Sequence, residues 1–242
     1  MRHAGFRATV LVLSIVSVSA YAQQRRAAVP GSENLLRNLP GPLDSHAAAL
    51  GDRVRTPGKE KTVLSGQFLD ENGKRLPVRM TLQLPGLLRI EGLKPDSRTE
   101  QALLETFTLD TAEGMLAAIK DGAAVHIIGR RVGPDPSKRQ EANTAAHDVY
   151  EVSGPVRVGT AERDRLKRYY FDSETGLLTS THYVDESVSP PMTVETRFSE
   201  WRRIEGSAYP GRIERFENGH PAFSLSVNTI AASPRQDPAS FR

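Results

Sequence analysis

The residue types that do chemistry are present in this sequence, but no recognised catalytic, metal or nucleotide motif sets them at a working spacing; carboxylate pairs of the kind that hydrolyse sugars are a matter of geometry, which spacing does not give. Histidines stand at positions 3, 46, 126, 147, 182 and 220. None forms H-x-H, H-x-x-x-H or H-E-x-x-H, the spacings that bring two imidazoles onto one metal ion. Structural or solvent-exposed roles are the simpler reading for all of them. The chain has no cysteine, which removes the thiol nucleophile, the thiolate metal site and the disulfide together. No G-x-S-x-G, P-loop or G-x-G-x-x-G occurs. Asp70-Glu71-Asn72-Gly73 has the opening letters of a calcium loop. It lacks the remaining oxygen ligands and the distant glutamate, so it reads as a turn. Arg130-Arg131 and Arg202-Arg203 could meet anionic lipid head groups, although alternate residues on an exposed strand are more simply solvated charges. Aromatic residues make up 6% of the chain, too few for a carbohydrate-stacking cleft. No catalytic constellation, metal site or cofactor is expected.

With chemistry of that kind missing, the chain is read for the surfaces it can build and for where they operate. Residues 1–22 read as a cleavable export leader. Arg2, His3 and Arg7 precede an apolar run from Ala8 to Ala20, and Ala20-Tyr21-Ala22 has the small-x-small form of a signal-peptidase site. The run falls short of the ~20 apolar residues that a spanning helix needs. A lipid anchor on the chain itself needs a cysteine after the cleavage point. The expected product is periplasmic or secreted, and soluble. Cleavage removes Arg2 and Arg7, leaving 30 basic residues against 29 acidic ones and lowering the net charge from +3 to +1. No basic cluster is interleaved with aromatics, so nucleic acid is not expected as a partner.

Polar residues 23–32 form an expected lead-in, and 33–242 one β-rich domain. Leu35, Leu36 and Leu39 give Glu33–Leu50 helical character, broken by Pro40-Gly41-Pro42 and stopped by Gly51. From Thr62 the hydrophobic period becomes two. Strands are expected over Thr62–Leu69, Lys74–Leu84 and Leu87–Gly92. Asn72-Gly73 is expected to supply positive φ angles to the first turn, and Pro85-Gly86 makes the second. Two helices follow: Arg98–Phe107, capped by Asp96 or Ser97, and one opened by the capping box Asp110-Thr111-Ala112-Glu113 and closed by Gly122. Strands resume over Ala123–Val132, His147–Ser153, Arg163–Phe171, Leu177–Glu186, Thr193–Arg203, Ala208–Glu217 and Pro221–Ala231, with a polar loop at Gly133–Ala146. The lack of βαβ alternation argues against a parallel sheet. The expected class is mainly β (α+β), with about ten antiparallel strands around a helical insert.

The hairpin Tyr169-Tyr170-Phe171-Asp172-Ser173-Glu174-Thr175-Gly176-Leu177-Leu178 resembles one in the LolA-like, outer-membrane lipoprotein-sorting superfamily. So does the run from Glu195 through Trp201 and the Glu205-Gly206 turn to Tyr209-Pro210 and Ile213. Ile230 to Phe241 is similar to the family's last strand and Asp-Pro-x-x-Phe tail, and His46–Gly51 to its helix-to-strand junction. Membership implies an incomplete antiparallel β-barrel with helices over its open side. It also implies a hydrophobic cavity for a lipid or an acylated protein, with an inner- or outer-membrane protein as a further partner.

An eight-residue strand spans about 26 Å, near the length of an extended acyl chain. At ~0.8 kcal/mol per buried CH₂, a sixteen-carbon chain gains on the order of 12 kcal/mol. A carrier that must release its cargo therefore needs an imperfect pocket or a lid. The insert Arg98–Gly122 is the candidate lid, through Met115, Leu116 and Ile119 on one helix face. Candidate cavity walls are the dry strand positions Leu82, Leu88, Ile90, Phe198, Phe223, Leu225 and Val227, which plain core packing explains equally. Trp201, the single tryptophan, is the candidate for the cavity mouth, where an amphipathic ring suits a lipid boundary; packing on its own sheet is the simpler role. An interaction or sensor module without cargo remains open beside the carrier.

Overall fold

The computed structural model describes residues 41–55, 60–83, 87–94, 97–134, 144–158 and 161–234. The chain divides into two compact units, Met1–Pro30 and Gly31–Arg242, and every described residue lies in the second. The expected leader, the lead-in, the helix start at Glu33–Leu39, the Pro85-Gly86 turn and the Asp-Pro-x-x-Phe tail lie outside the described residues.

Two short helices, α1 (Gly41–Leu50) and α2 (Asp52–Arg55), precede a meander of β1 (Glu60–Asp70), β2 (Arg75–Gln83) and β3 (Leu87–Glu91). The helical insert is α3 (Arg98–Glu105), a π-helical turn (Thr106–Asp110) and α4 (Ala112–Lys120). Then come β4 (Ala124–Pro134), β5 (Thr144–Val158), β6 (Ala161–Asp172), β7 (Leu178–Asp185), β8 (Met192–Ser199), β9 (Arg202–Ile204), β10 (Ser207–Tyr209), β11 (Arg212–Glu217) and β12 (His220–Pro234). Ten strands form one antiparallel sheet in the order β3-β2-β1-β12-β11-β8-β7-β6-β5-β4, and β9–β10 is a separate hairpin. The sheet is not closed: β3 and β4 are its ends. β1 pairs with β12, so the N-terminal meander is joined to the last strand. The expected class, a mainly antiparallel β-sheet left open and accompanied by helices, is the observed one.

Turn chemistry sets most of these boundaries. Gly73 alone takes positive φ in the first hairpin. The expected partner, Asn72, does not; instead Asp70 Oδ1 accepts from the N–H groups of Asn72 and Lys74 at 2.9 and 2.8 Å, an Asx turn. At the last hairpin Asn218 and Gly219 both adopt positive φ, 49° and 77°, as a two-residue turn matched to strand twist requires. Gly51 ends α1 at φ 93°, and a Cβ there would meet the Gly206 carbonyl oxygen at 2.4 Å. Gly51→Ala is expected to lose about 1–3 kcal/mol of unfolding free energy, read from urea denaturation.

Two expectations need correction. Ser97 caps α3, accepting from Glu100 N–H at 3.1 Å, as expected, but the cap of α4 is Thr111, which accepts from Gly114 N–H at 3.3 Å. Asp110 is not a cap. The π-helical turn carries it off the end of α3 into the interior, where it is fully buried. Likewise Thr193–Arg203 and Ala208–Glu217 are not continuous strands. Glu200 takes φ 57°, and Gly211 N–H donates to the carbonyls of Ser199 and Glu200 at 3.0 and 3.1 Å. The ladder stops there, and the chain lifts off as β9–β10 before rejoining at Arg212.

One face of the sheet holds the core. Phe68, Met80, Phe171, Phe198, Ile213 and Leu225 are all buried on it, beneath α1, α2 and α4.

Candidate functional site

The break at Glu200 builds the candidate site. It places Trp201 and Tyr209-Pro210 beside a cleft between the sheet and the helices. The apolar wall is Leu64, Leu82, Phe107, Ala112, Leu178, Phe198 and Trp201; the polar wall is Arg53, Thr62, Thr111, Glu113 and Tyr209. The cleft volume is about 50 Å³. Ligand pockets run from about 300 to 1,000 Å³, so this one is closed down.

Of the positions expected to form a cavity wall, Leu82 and Phe198 line the cleft, and so does the half-buried Trp201. Phe223, Leu225 and Val227 are buried in the core on β12, while Leu88 and Ile90 are half-buried against the core on the edge strand β3. Met115, Leu116 and Ile119 are all buried on the inner face of α4. Met115 and Leu116 meet Leu43, Ala47, Leu50 and Val54 with only about 10 Å³ between them.

The polar wall was not anticipated. The backbone N–H of Arg53 donates to Ser207 Oγ at 3.3 Å, its Nε donates to the Ala208 carbonyl at 2.7 Å, and its guanidinium lies 4.6 Å from the centre of the Tyr209 ring. It also pairs with Glu113, which is 3% exposed. Arg53 thus ties α2, α4 and the β9–β10 hairpin together at the cleft. Arg203 reinforces this by donating to the Ala49 carbonyl at 3.1 Å. Arg130 pairs with Asp148 at 3.3 Å and Arg202 donates to the Asn228 carbonyl at 3.5 Å, so most of the arginine-pair side chains are held by protein groups.

The other half of the inner sheet face is charged. Asp110 meets Lys167, accepts from Thr196 Oγ1 at 2.8 Å and lies 3.6 Å from Arg215. Its carbonyl accepts from Thr181 Oγ1 at 2.7 Å, and that of Leu109 accepts from Tyr169 Oη at 2.7 Å. Glu105 pairs with Arg165 and, at 3.0 Å, with Arg215; Arg165 reaches Asp185 at 3.2 Å. The strand register explains the convergence: Tyr169, Thr181, Thr196 and Arg215 are consecutive partners across β6, β7, β8 and β11. Burial pulls the Lys167 ammonium down to about 8, with Arg165 and Arg215 pushing the same way and Asp110 opposing. Burial holds the Tyr169 and Tyr183 phenols well above their usual range. This cluster clamps the α3 end of the insert to the sheet.

The histidines are dispersed. His46 stacks on Phe171 at 4.6 Å with Nε2 3.4 Å from Asp148; burial lowers its pKa against the pull of that carboxylate. His147 is buried, His182 is half-buried, and His126 and His220 are exposed. Among the described residues no group of three His, Asp or Glu side chains could hold a metal ion.

Among solved structures, a domain named for outer membrane lipoprotein sorting, from Vibrio parahaemolyticus, superposes with a TM-score of 0.51 at 7% identity, over 87% of this chain and 97% of that one. A DUF1329 family protein from Desulfovibrio piger gives 0.48 at 9% identity over 89% and 97%. A LolA superfamily protein from Nitrosomonas europaea gives 0.44 at 12% identity over 82% and 96%. No family model and no curated protein matches the chain. The likeness read from the sequence therefore holds at the level of the fold: an open antiparallel sheet with helices on its inner face, similar to that of the lipoprotein-sorting domain.

Proposed function

We propose that this chain is an exported carrier that shelters an acyl chain, of a lipid or an acylated protein, between its sheet and its helices. One observation carries the reading: a largely apolar cleft sits at that position, with Leu82, Phe198 and Trp201 on its wall. The fold likeness supports the architecture, and the cleft supports the ligand class. The leader reading of residues 1–22 supports export to the periplasm. Among the described residues no helix is long and apolar enough to cross a membrane. Residues 33–242 are taken as the single carrier domain.

Loading requires the cleft to widen. The clamp at Glu105 and Asp110 fixes one end of the insert, so the proposal assigns movement to α4. Exposing Met115, Leu116 and Ile119 costs about 5–9 kcal/mol, at ~1.5–3 kcal/mol for each side chain. Burial of a sixteen-carbon chain returns on the order of 12 kcal/mol. Separating Glu113 from Arg53 adds to the cost, so the gain from the acyl chain is largely offset, which suits a carrier that binds and releases.

The test uses native mass spectrometry for co-purified lipid and titration with a fluorescent acyl probe. Trp201, on the cleft wall, gives an intrinsic emission shift. Thr62→Trp is expected to fill the cleft, weaken probe binding by about tenfold or more and leave the fold intact. No co-purified lipid together with no probe binding by the native chain overturns the reading.

A second reading, an envelope interaction module that binds a membrane protein without cargo, is favoured by the edge strand β4. There Ile127 and Ile128 are 52% and 37% exposed beside a packed core. Photo-crosslinking from position 127 in intact cells tests it.

A further inference from the structure

Native proteins pair more than nine in ten of their buried polar groups, and each exception calls for a reason. Three exceptions belong to residues that line the cleft. Trp201 Nε1, Tyr209 Oη and Glu113 Oε2 are buried and have no hydrogen-bond partner among the described residues, and all three residues line the same cleft. Tyr209 and Glu113 are 4% and 3% exposed. The guanidinium of Arg53 cannot serve as a free anion receptor, because Glu113, the Ala208 carbonyl and the Tyr209 ring already hold it.

The chemistry of these three atoms selects a head group. An indole N–H only donates, a carboxylate oxygen only accepts, and a phenol does either. A complementary head must offer an acceptor to Trp201 and a donor to Glu113. A fatty-acid carboxylate offers acceptors alone and meets the like charge of Glu113. A quaternary ammonium offers no hydrogen-bond donor. A hydroxyl, or an amide N–H beside a carbonyl, offers both the donor and the acceptor that these atoms call for. The size agrees: about 50 Å³ has room for a few water-sized groups, at ~10–15 Å³ each, so the closed cleft fits a head more readily than a chain.

We propose that the cleft wall formed by Trp201, Tyr209 and Glu113 is a head-group subsite for an uncharged acyl amphiphile, a glyceryl ester or an N-acyl amide. The proposal rests on the carrier reading and adds the ligand's polar end to it.

The experiment is displacement of a fluorescent acyl probe from the full chain at pH 7.5 by four twelve-carbon competitors. Monolaurin represents the glyceryl-lipid source and N-lauroylserinamide the acylated-peptide source; laurate and lauroylcholine are the mismatched heads. One or both of the first pair should displace the probe at concentrations about tenfold lower than either mismatched head. Which of the two is stronger identifies the source. Tyr209→Phe keeps the ring and removes the hydroxyl, and Trp201→Phe keeps an aromatic side chain and removes the indole N–H. Each should narrow that preference to within about threefold, read as the ratio of competitor midpoints within the same variant, whatever the change in the probe's own affinity. Equal displacement by all four competitors, or an unchanged preference in both variants, overturns the subsite and leaves the acyl-carrier reading standing. Failure of the native chain to bind the probe overturns both.

Discussion

Asp110→Asn is expected to lower the unfolding free energy by about 3–5 kcal/mol, the loss typical when one partner is removed from a buried ion cluster. The substitution keeps the side-chain volume, so no cavity term contributes. It leaves Lys167 and Arg215, both 2% exposed, facing each other with one less counter-charge. Asparagine can still accept from Thr196, which isolates the charge from the hydrogen bond. Urea denaturation supplies the free energy. Hydrogen exchange locates it: amides of 98–120 should lose protection before those of β11 and β12, because the clamp joins the insert to the sheet. Lys167→Met in the same chain should recover part of the loss, with a coupling of about 1–3 kcal/mol. A loss below about 1 kcal/mol from Asp110→Asn would show that the cluster does not anchor the insert.

That clamp marks the limit of what the residues disclose in linear order. The hairpins were legible because their turns carry local chemistry: Asn218-Gly219 and the Asp172–Gly176 loop act within a few residues, the latter through Asp172 accepting from Glu174 and Thr175. The dry faces of β2 and β12 were legible because polar residues alternate with apolar ones. On β6 the alternation fails as a guide. Arg165 and Lys167 are buried while Leu166 is 47% exposed, and hydrophobicity alone assigns the faces the wrong way round. Those charges are stable inside only because Glu105, Asp110 and Asp185 meet them from the insert and the neighbouring strand, a pairing made by the strand register. Asp110 misleads for a related reason. Asp-x-x-Glu fits a capping box, and nothing local reveals the π-helical turn that moves the cap to Thr111. The cleft was half legible. Leu82 and Phe198 follow from strand period, whereas Trp201 reaches the cleft because the ladder breaks at Glu200, and Arg53 because Gly51 turns the chain.

The same cluster gives the protein an expected stability maximum near pH 9–10, above the usual range of about pH 5–8. Lys167 titrates at about 8 in the folded chain against 10.5 when free. Between those values the unfolded chain holds a proton that the folded chain has released, so stability rises with pH, by up to ~1.4 kcal/mol per unit and about 3 kcal/mol over the window. Tyr169 and Tyr183 act in the opposite sense. Burial raises both phenols above their ordinary value of 10.0, so above that pH the unfolded chain loses protons that the folded chain keeps. Stability then falls by up to ~1.4 kcal/mol per unit for each, and Tyr150, raised for the same reason, steepens the fall. On the acid side His46 and His182 have lowered pKa values. The unfolded chain takes up their protons first as pH drops through about 6.5, and stability declines. Urea midpoints from pH 5 to 11 should therefore climb through neutrality, climb again from pH 8 and drop steeply past 10. Lys167→Met should erase the second climb and keep the final drop, because the first belongs to the ammonium and the second to the phenols. A native profile that is flat or falling between pH 8 and 9.5 would mean that Asp110 holds the Lys167 proton more strongly than burial expels it, and that the clamp stays fully charged throughout.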